Sequence, residues 1–379
     1  MKIGIFGGSF DPVHIEHIRL AKAAISSLGL DKLWIMPAST PPHKQGKRMS
    51  PACDRLEMCR LAFADEPRVE ISDFEILQEG TSYTYLTCRH FKTQYPNAEL
   101  FWLVGTDMLR DFPTWKNPES ILADATLAVC SRAENAGWEE NEQEIFHRRF
   151  GKNFAVIRYQ AMAVSSTQIR VLTGAGMRLT HLTDEKVEKY IQENGLYAVE
   201  YAQQALALQS PKRAAHSIRV AEAAAKVANK LRMSESQAIQ AALLHDCAKN
   251  LTPEHPLLLG FCIEEKYGEV PEPVWHQFAG AYIAEKQFGI QDKDVCNAIR
   301  FHTSGRAEMS DLEMLIFLAD IVEDGRTFPG VDELRTLFYQ GELRACMRLA
   351  LQRSLQFLQE KNADVYPLTV QAFEYYLAK

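Results

Sequence analysis

No two of the eight cysteines (53, 59, 88, 130, 247, 262, 296, 346) stand in a Cys-x-x-Cys pair. That removes a cysteine-based zinc site, and the scatter fits reduced thiols better than a disulfide framework. Long hydrophobic runs are missing as well. None approaches the roughly 20 residues needed to span a bilayer, and no signal-peptide pattern precedes the first strand-like run, Lys2–Phe6. A cytoplasmic protein without a membrane role is expected. Positive charge is not in excess: 42 Lys and Arg stand against 49 Asp and Glu, a net charge of −7. The chain therefore lacks the basic field that holds nucleic acid. Internal repeats, low-complexity segments and a Pro/Gly/Ser-rich linker are also absent. What remains is 379 residues of ordinary globular composition, 46% hydrophobic and 24% charged, enough for two domains with separate cores.

The first half alternates short apolar runs with helical patterns. Ile3–Phe6, Leu33–Met36, Val69–Ile71, Leu100–Val104, Leu127–Cys130 and Phe154–Ile157 read as strands. Ile15–Leu28, Ala52–Ala64 and Tyr83–Gln94 read as helices between them. Strands separated by helices predict a parallel sheet with right-handed crossovers, and ligands bind beyond the carboxyl ends of such strands. From Ala202 onward the pattern carries no strand. His216–Leu231, Ser236–His245, Val274–Phe288, Lys293–Phe301, Leu312–Val322 and Leu343–Gln359 predict an all-α domain. Periodicity sets the expected domains at 1–199 and 200–379.

Two groups of residues are hard to explain as packing alone. After the first strand comes Gly7-Gly8-Ser9-Phe10-Asp11-Pro12-Val13-His14-Ile15-Glu16-His17. Glycines there permit positive φ and let backbone amides approach an anion. His14 and His17 are three apart at a helix start, so they share a face and can donate to phosphate oxygens, helped by the helix dipole. In the second half, His245-Asp246 closes an apolar helical segment, His216 lies near the start of another, and Asp320 ends the run Met314–Ala319. An aspartate in that position is costly to bury unless it is paired. Two histidines and two aspartates on a helical scaffold favour a metal. His181 and His255 match no pattern and read as structural or surface residues.

The first string resembles the nucleotidyltransferase superfamily with the His-x-Gly-His motif, and is most similar to its bacterial nicotinate-nucleotide adenylyltransferase branch. The resemblance covers residues 1–197. It is carried further by Pro41-Pro42-His43-Lys44, Thr81-Ser82-Tyr83-Thr84, Gly105-Thr106-Asp107 followed by Trp115, and Val164-Ser165-Ser166-Thr167-Gln168-Ile169-Arg170. The branch usually has Gly where this chain has Glu16, a carboxylate that either repels a triphosphate or points away from it. The resemblance implies a Rossmann-like domain that transfers adenylyl from ATP, with magnesium, to nicotinate mononucleotide. His14 and His17 would hold the ATP phosphates, and Lys44 and Arg170 further phosphate groups. Gly7, Gly8, Ser9, Phe10, Thr84, Gly105, Ser166 and Thr167 would line the nucleotide site. Tyr83 and Trp115 would stack on the pyridine ring or pack in the core, and Asp107 would contact ribose or cap the next helix.

The second half, about 202–379, resembles the HD phosphohydrolase superfamily and is most similar to its branch that hydrolyses diadenosine tetraphosphate symmetrically. The strings are Leu244–Lys249, His276–Ala281, His302–Arg306 and Ala319–Glu323. The resemblance implies a first metal on His216, His245, Asp246 and Asp320. A second, bridged through Asp246, would sit on His276 and His302. Iron is the metal the branch suggests, with manganese and zinc also suited. Lys249 and Arg306 would neutralise a polyphosphate. The branch usually has Ser where Gln277 stands. Open alternatives are another acceptor (nicotinamide mononucleotide or phosphopantetheine), another nucleotide for the HD domain, or a metal-stabilised structural module. A homo-oligomer stays open.

Overall fold

The computed structural model describes residues 1–39, 49–78, 81–132 and 138–378. Lys44 and His43 lie outside them. Contacts divide the chain into two compact units: Met1–Ile169 with Leu179–Leu196, and Arg170–Arg178 with Tyr197–Lys379. A single boundary near 200 was expected. The segment 170–178 joins the second unit because Val171 and Ala175 are buried in the helical core.

In the first unit all six expected strands form, within one or two residues of their expected ends. They are β1 (Lys2–Gly8), β2 (Lys32–Pro37), β3 (Val69–Ile71), β4 (Glu99–Gly105), β5 (Thr126–Arg132) and β6 (Ala155–Tyr159). They make one sheet in the order β3-β2-β1-β4-β5-β6, and every pairing is parallel. The order reverses between β1 and β4, so their carboxyl ends, Gly8 and Gly105, flank the crevice where such sheets take ligands. The helix Ile15–Leu28 packs behind β1 and β6. It stops at Gly29, whose φ of 62° closes the last turn as a left-handed cap.

The second unit is helical among the described residues. Its helices start where short polar side chains accept from the first-turn amides: Ser210 before Pro211–Leu231, Ser234 before Glu235–Leu244, Asp292 before Lys293–Arg300 and Ser310 before Asp311–Val322. The helix Asp311–Val322 is buried along almost its whole length, from Leu312 to Ala319 and again at Val322. An element apolar on every face belongs at the centre of a bundle. The expected helix Val274–Phe288 is regular over Glu272–Tyr282 and then continues as a π turn, Ile283–Gln287. All eight cysteines are free. Among the described residues no helix is long and apolar enough to cross a membrane.

Candidate functional site

At the crevice of the first unit, the two glycines do not take up the positive φ that was expected of them. Gly7 and Gly8 are strand residues and are not in the positive-φ region; that conformation falls on Phe10, at φ 46°. A Cβ on Gly7 would meet the Trp102 ring at 2.8 Å, and one on Gly8 the Phe10 ring at 3.1 Å. The glycines therefore admit two aromatic rings against the end of β1. At Gly105 an added Cβ would meet nothing within 4 Å, so this side of the crevice is open.

His14 precedes the first turn of Ile15–Leu28 with extended backbone, and the His17 Nδ1 accepts from its amide at 3.2 Å. A neutral ring that accepts on Nδ1 carries its proton on Nε2. The two imidazoles stack with centroids 3.7 Å apart. Neighbouring segments fix this turn. Ser166 Oγ donates to the Pro12 carbonyl at 3.0 Å, Thr183 Oγ1 to the Val13 carbonyl at 3.0 Å, and the Ile15 amide to Leu182. Glu16 turns to the end of β6, where its carboxylate accepts from the Tyr159 hydroxyl and the Met162 amide, each at 2.8 Å. Of the two orientations the sequence allowed, this one ties both oxygens to the β6 end.

Arg55, missed by the sequence reading, is 1% exposed. Its guanidinium donates to the carbonyls of Ser9, Ala38, Ser39 and Ser50, fastening the chain after β1 to the chain after β2. A buried arginine on backbone carbonyls leaves no sequence signal beyond its apolar neighbours. Tyr83 lies half-buried under Lys116, whose Nζ is 4.2 Å from the ring centroid, and Thr84 begins the following helix. Trp115 packs on Phe112, centroids 5.4 Å apart. Asp107 is exposed in the first turn after Gly105. Thr167 follows Ser166 at its helix start. Arg170 is engaged elsewhere, in a two-pronged ion pair with Glu235 at 2.8 Å.

The second unit brings all its expected ligands together. His216 comes from Pro211–Leu231, His276 from Glu272–Tyr282 and Asp320 from Asp311–Val322, while His245 and Asp246 follow Glu235–Leu244 and His302 follows Lys293–Arg300. The imidazoles and Asp246 are almost completely buried. Asp246 divides them. Its Oδ2 lies 3.4 Å from His245 Nε2 and 4.0 Å from His216 Nε2, and its Oδ1 lies 3.3 Å from His276 Nε2 and 3.5 Å from His302 Nε2. His216 Nε2 is also 2.9 Å from Asp320.

The far nitrogens are held in place. His216 Nδ1 meets Glu323 at 3.0 Å, His245 Nδ1 the Ala242 carbonyl at 2.6 Å, and His302 Nδ1 the Ile299 carbonyl at 2.7 Å. An Nδ1 that donates outward leaves the Nε2 lone pair facing the centre, the arrangement of a metal-ligating histidine. Among the described residues, groups that could hold an ion include His216–His245–Asp246, His245–His302–Asp320 and Asp246–His276–His302, each with ligand atoms within 4.8 Å. Nε2 of His216 and of His245 is buried without a well-formed hydrogen bond. The residues present therefore fit one or two transition ions.

Burial would lower the His245 imidazole, yet Asp246 and Asp320 raise it. Burial alone would raise the Asp246 carboxyl, yet His245 and the other imidazoles hold it well below the carboxylate range. Asp320 behaves alike: burial is outweighed by His216, His245 and Arg326. Burial pushes His276 down to about 4, keeping it neutral, and also lowers the Lys249 ammonium. Lys249 Nζ stands 3.2 Å from His276 Nδ1. Arg213 reaches Asp246 at 2.9 Å and Arg326 pairs with Asp320. Neither was expected, although Arg213 stands one turn before His216 and so was legible in principle. Arg306 is engaged by Glu313 at 2.7 Å and lies over the Phe301 ring. Gln277, in place of the branch's Ser, is fully buried and accepts from the Thr303 and Ser304 amides, so it holds the turn after His302. His255 accepts from the Leu257 amide at a short helical turn.

A Rossmann-like parallel sheet with a histidine-tipped helix at its switch point, and a helical unit with a convergent His–Asp cluster, define the class: a nucleotidyltransferase-type unit joined to an HD unit. The cytidylyltransferase-like family matches residues 5–172 and the HD domain family residues 213–324. A Mycoplasma genitalium protein named probable nicotinate-nucleotide adenylyltransferase/Ap4A hydrolase is 31% identical over 86% of this chain and 88% of its own length. A Clostridium botulinum protein named probable nicotinate-nucleotide adenylyltransferase is 36% identical over 52% of this chain and 99% of its own. A solved Clostridium acetobutylicum structure, named a predicted HD superfamily hydrolase involved in NAD metabolism, is 33% identical over 47% of this chain and 95% of its own, with a TM-score of 0.42. The chain belongs to the nicotinate-nucleotide adenylyltransferase family, in the form that carries an HD domain after the transferase.

Proposed function

We propose that the chain is a bifunctional enzyme. Residues 1–199 would transfer adenylyl from ATP to nicotinate mononucleotide, giving nicotinate adenine dinucleotide and pyrophosphate for NAD biosynthesis. Residues 200–379 would hydrolyse diadenosine tetraphosphate symmetrically to ADP. The observation that carries the first half is the stacked His14–His17 pair at the sheet's switch point. The acceptor phosphate attacks the α-phosphorus in line, so the chain's part is positioning and charge stabilisation. His14 and His17 donate to the ATP phosphates. Gly7, Gly8, Ser9 and Phe10 shape the floor, and Ser166 and Thr167 offer donors at their helix start. Magnesium arrives with ATP, held mainly by substrate oxygens and water. Lys44 is assigned to phosphate. Arg170 has that role only if its pairing with Glu235 is exchanged for the ligand. Tyr83 and Trp115 select the pyridine ring, and Asp107 and Thr84 border the site.

The second half is carried by the division of the histidines between the two Asp246 oxygens. When bound, metal supplies Lewis acidity and a nucleophilic water at neutral pH. His216, His245, Asp246 and Asp320 would hold one ion, and His276, His302 and Asp246 a second. Lys249 and Arg213 offset charge on the phosphate under attack. Arg306 contributes at longer range, from its pairing with Glu313. Iron is the proposed ion. Two measurements test the whole reading. Pyrophosphate release with nicotinate mononucleotide, nicotinamide mononucleotide and phosphopantetheine should favour the first; preference for another overturns the acceptor. Elemental analysis alongside turnover of diadenosine tetraphosphate should find iron and ADP. Metal without turnover of any nucleotide would make the helical unit a structural module.

A further inference from the structure

Glu75 is 5% exposed in the short helix Phe74–Leu77 that follows β3. Among the described residues no cation pairs with it, and its partners are two buried hydroxyls. Thr87 Oγ1 donates to its carboxylate at 2.7 Å, and the Ser82 hydroxyl donates as well. Burial raises the carboxyl above its ordinary value, and the two hydroxyls draw it back. A carboxylate taken out of water with no opposite charge is costly. Glu75 belongs to none of the motifs, and neither site described above uses it.

Its two donors stand on either side of Tyr83. Ser82 precedes that residue, and Thr87 lies in the first turn of the helix Thr84–Gln94 that follows it. Tyr83 leads into this helix with extended backbone and makes no side-chain cap. Ser82 Oγ also accepts from the Ser39 amide at 3.2 Å. Ser39 comes just after Pro37, the carboxyl end of β2, which is paired with Gly8 at the end of β1. A hydroxyl that donates to one group while it accepts from another has its rotor fixed. The series Ser39–Ser82–Glu75–Thr87 therefore pins the segment bearing Tyr83 to the edge of the sheet where ligands bind. Phe74 stacks on His90, centroids 3.8 Å apart, and holds the short helix against the longer one.

We propose that Glu75 is a positioning residue for acceptor selection: it gathers the hydroxyls on both sides of Tyr83 and so sets where that ring stands at the carboxyl edge of the sheet. This rests on the transferase reading above, in which Tyr83 selects the pyridine ring. Glu75 acts through Ser82 and Thr87 and not by contact with the substrate. Its effect falls on the acceptor rather than on ATP, because the turn carrying His14 and His17 is fixed by other groups, Ser166, Thr183 and Leu182.

Full-length wild type, Glu75→Leu, Glu75→Gln and Thr87→Val are compared by pyrophosphate release, with a thermal melt of each. KM is measured separately for nicotinate mononucleotide and for ATP. Glu75→Leu should raise the KM for nicotinate mononucleotide about tenfold, the scale of one misplaced aromatic contact, and leave the KM for ATP unchanged. Glu75→Gln keeps an oxygen for the hydroxyls and should return the KM toward the wild-type value. Thr87→Val removes one donor at constant shape; it should show the same split on a smaller scale, and it carries the test if Glu75→Leu does not fold. An unaltered acceptor KM in the folded variants, or an equal rise for both substrates, overturns the positioning role. A wild-type chain that releases no pyrophosphate with nicotinate mononucleotide overturns the transferase reading beneath it.

Discussion

The transferase crevice and the HD cluster are built from contrasting equipment. The crevice is built from backbone, glycines cut back for two aromatic rings, and a stacked imidazole pair; the Glu16 carboxylate, between the two imidazoles in sequence, is bound to Tyr159 and Met162. The cluster concentrates four histidines and two aspartates, and burial with mutual charge shifts His245, His276, Asp246 and Asp320. A site whose metal arrives on the substrate need only leave room for it. One that keeps a resident ion must assemble its ligands during folding, and their mutual electrostatics show it.

Substitutions can break this contrast. Asp246→Asn removes the carboxylate shared by both halves of the cluster. Hydrolysis should fall by about a thousandfold or more, the scale of losing the organising group of a catalytic centre, and elemental analysis should show lost metal while pyrophosphate release persists. Loss of both activities in a folded variant would deny that the sites are independent. His17→Ala should do the converse, lowering adenylyl transfer by roughly a hundredfold, as for a lost charge-stabilising donor, with hydrolysis intact.

Acid sharpens the comparison. His276 has its pKa depressed to about 4, so between the ordinary imidazole value and about 4 the unfolded chain binds a proton that the folded chain refuses. Its contribution to stability is complete above the unfolded value and is lost as pH falls through that window, on the order of 3 kcal/mol. Chelator-treated wild type should show the slope in denaturant melts, and His276→Gln should flatten it; equal slopes would refute the assignment. Glu323→Gln should cost roughly 10- to 100-fold in metal affinity through the orientation of His216, read by competition with a chelator. The smallest effect is expected from Glu16→Ala: about 1–2 kcal/mol of stability from two lost charge-assisted hydrogen bonds, with KM for ATP little changed. A large gain in ATP affinity would show that the carboxylate does face the triphosphate.

Local pattern revealed all six strands and placed His14 and His17 on one face, because period and helix spacing are properties of short segments. It also singled out His216, His245, Asp246 and Asp320 as candidate ligands, since polar groups closing apolar helical runs are conspicuous; His276 and His302 were assigned only through the resemblance to the HD superfamily. It expected positive φ at Gly7 and Gly8 and missed that Trp102 and Phe10 crowd them through space. It passed over Glu323, Arg326 and Arg55 for the same reason: each acts on a partner that only the folded chain brings near. Arg170 shows the limit in reverse, a motif residue held by a glutamate 65 positions away.

Arg55 has a consequence for engineering. One side chain grips the chain as it leaves β2 at Ala38 and Ser39 and again as it returns at Ser50. Removing that guanidinium should therefore loosen the ends of β1 and β2 from each other and from Ser50 at once. Lysine could not replace the clasp, because a single ammonium on a flexible stem lacks the rigid fork that spans several carbonyls.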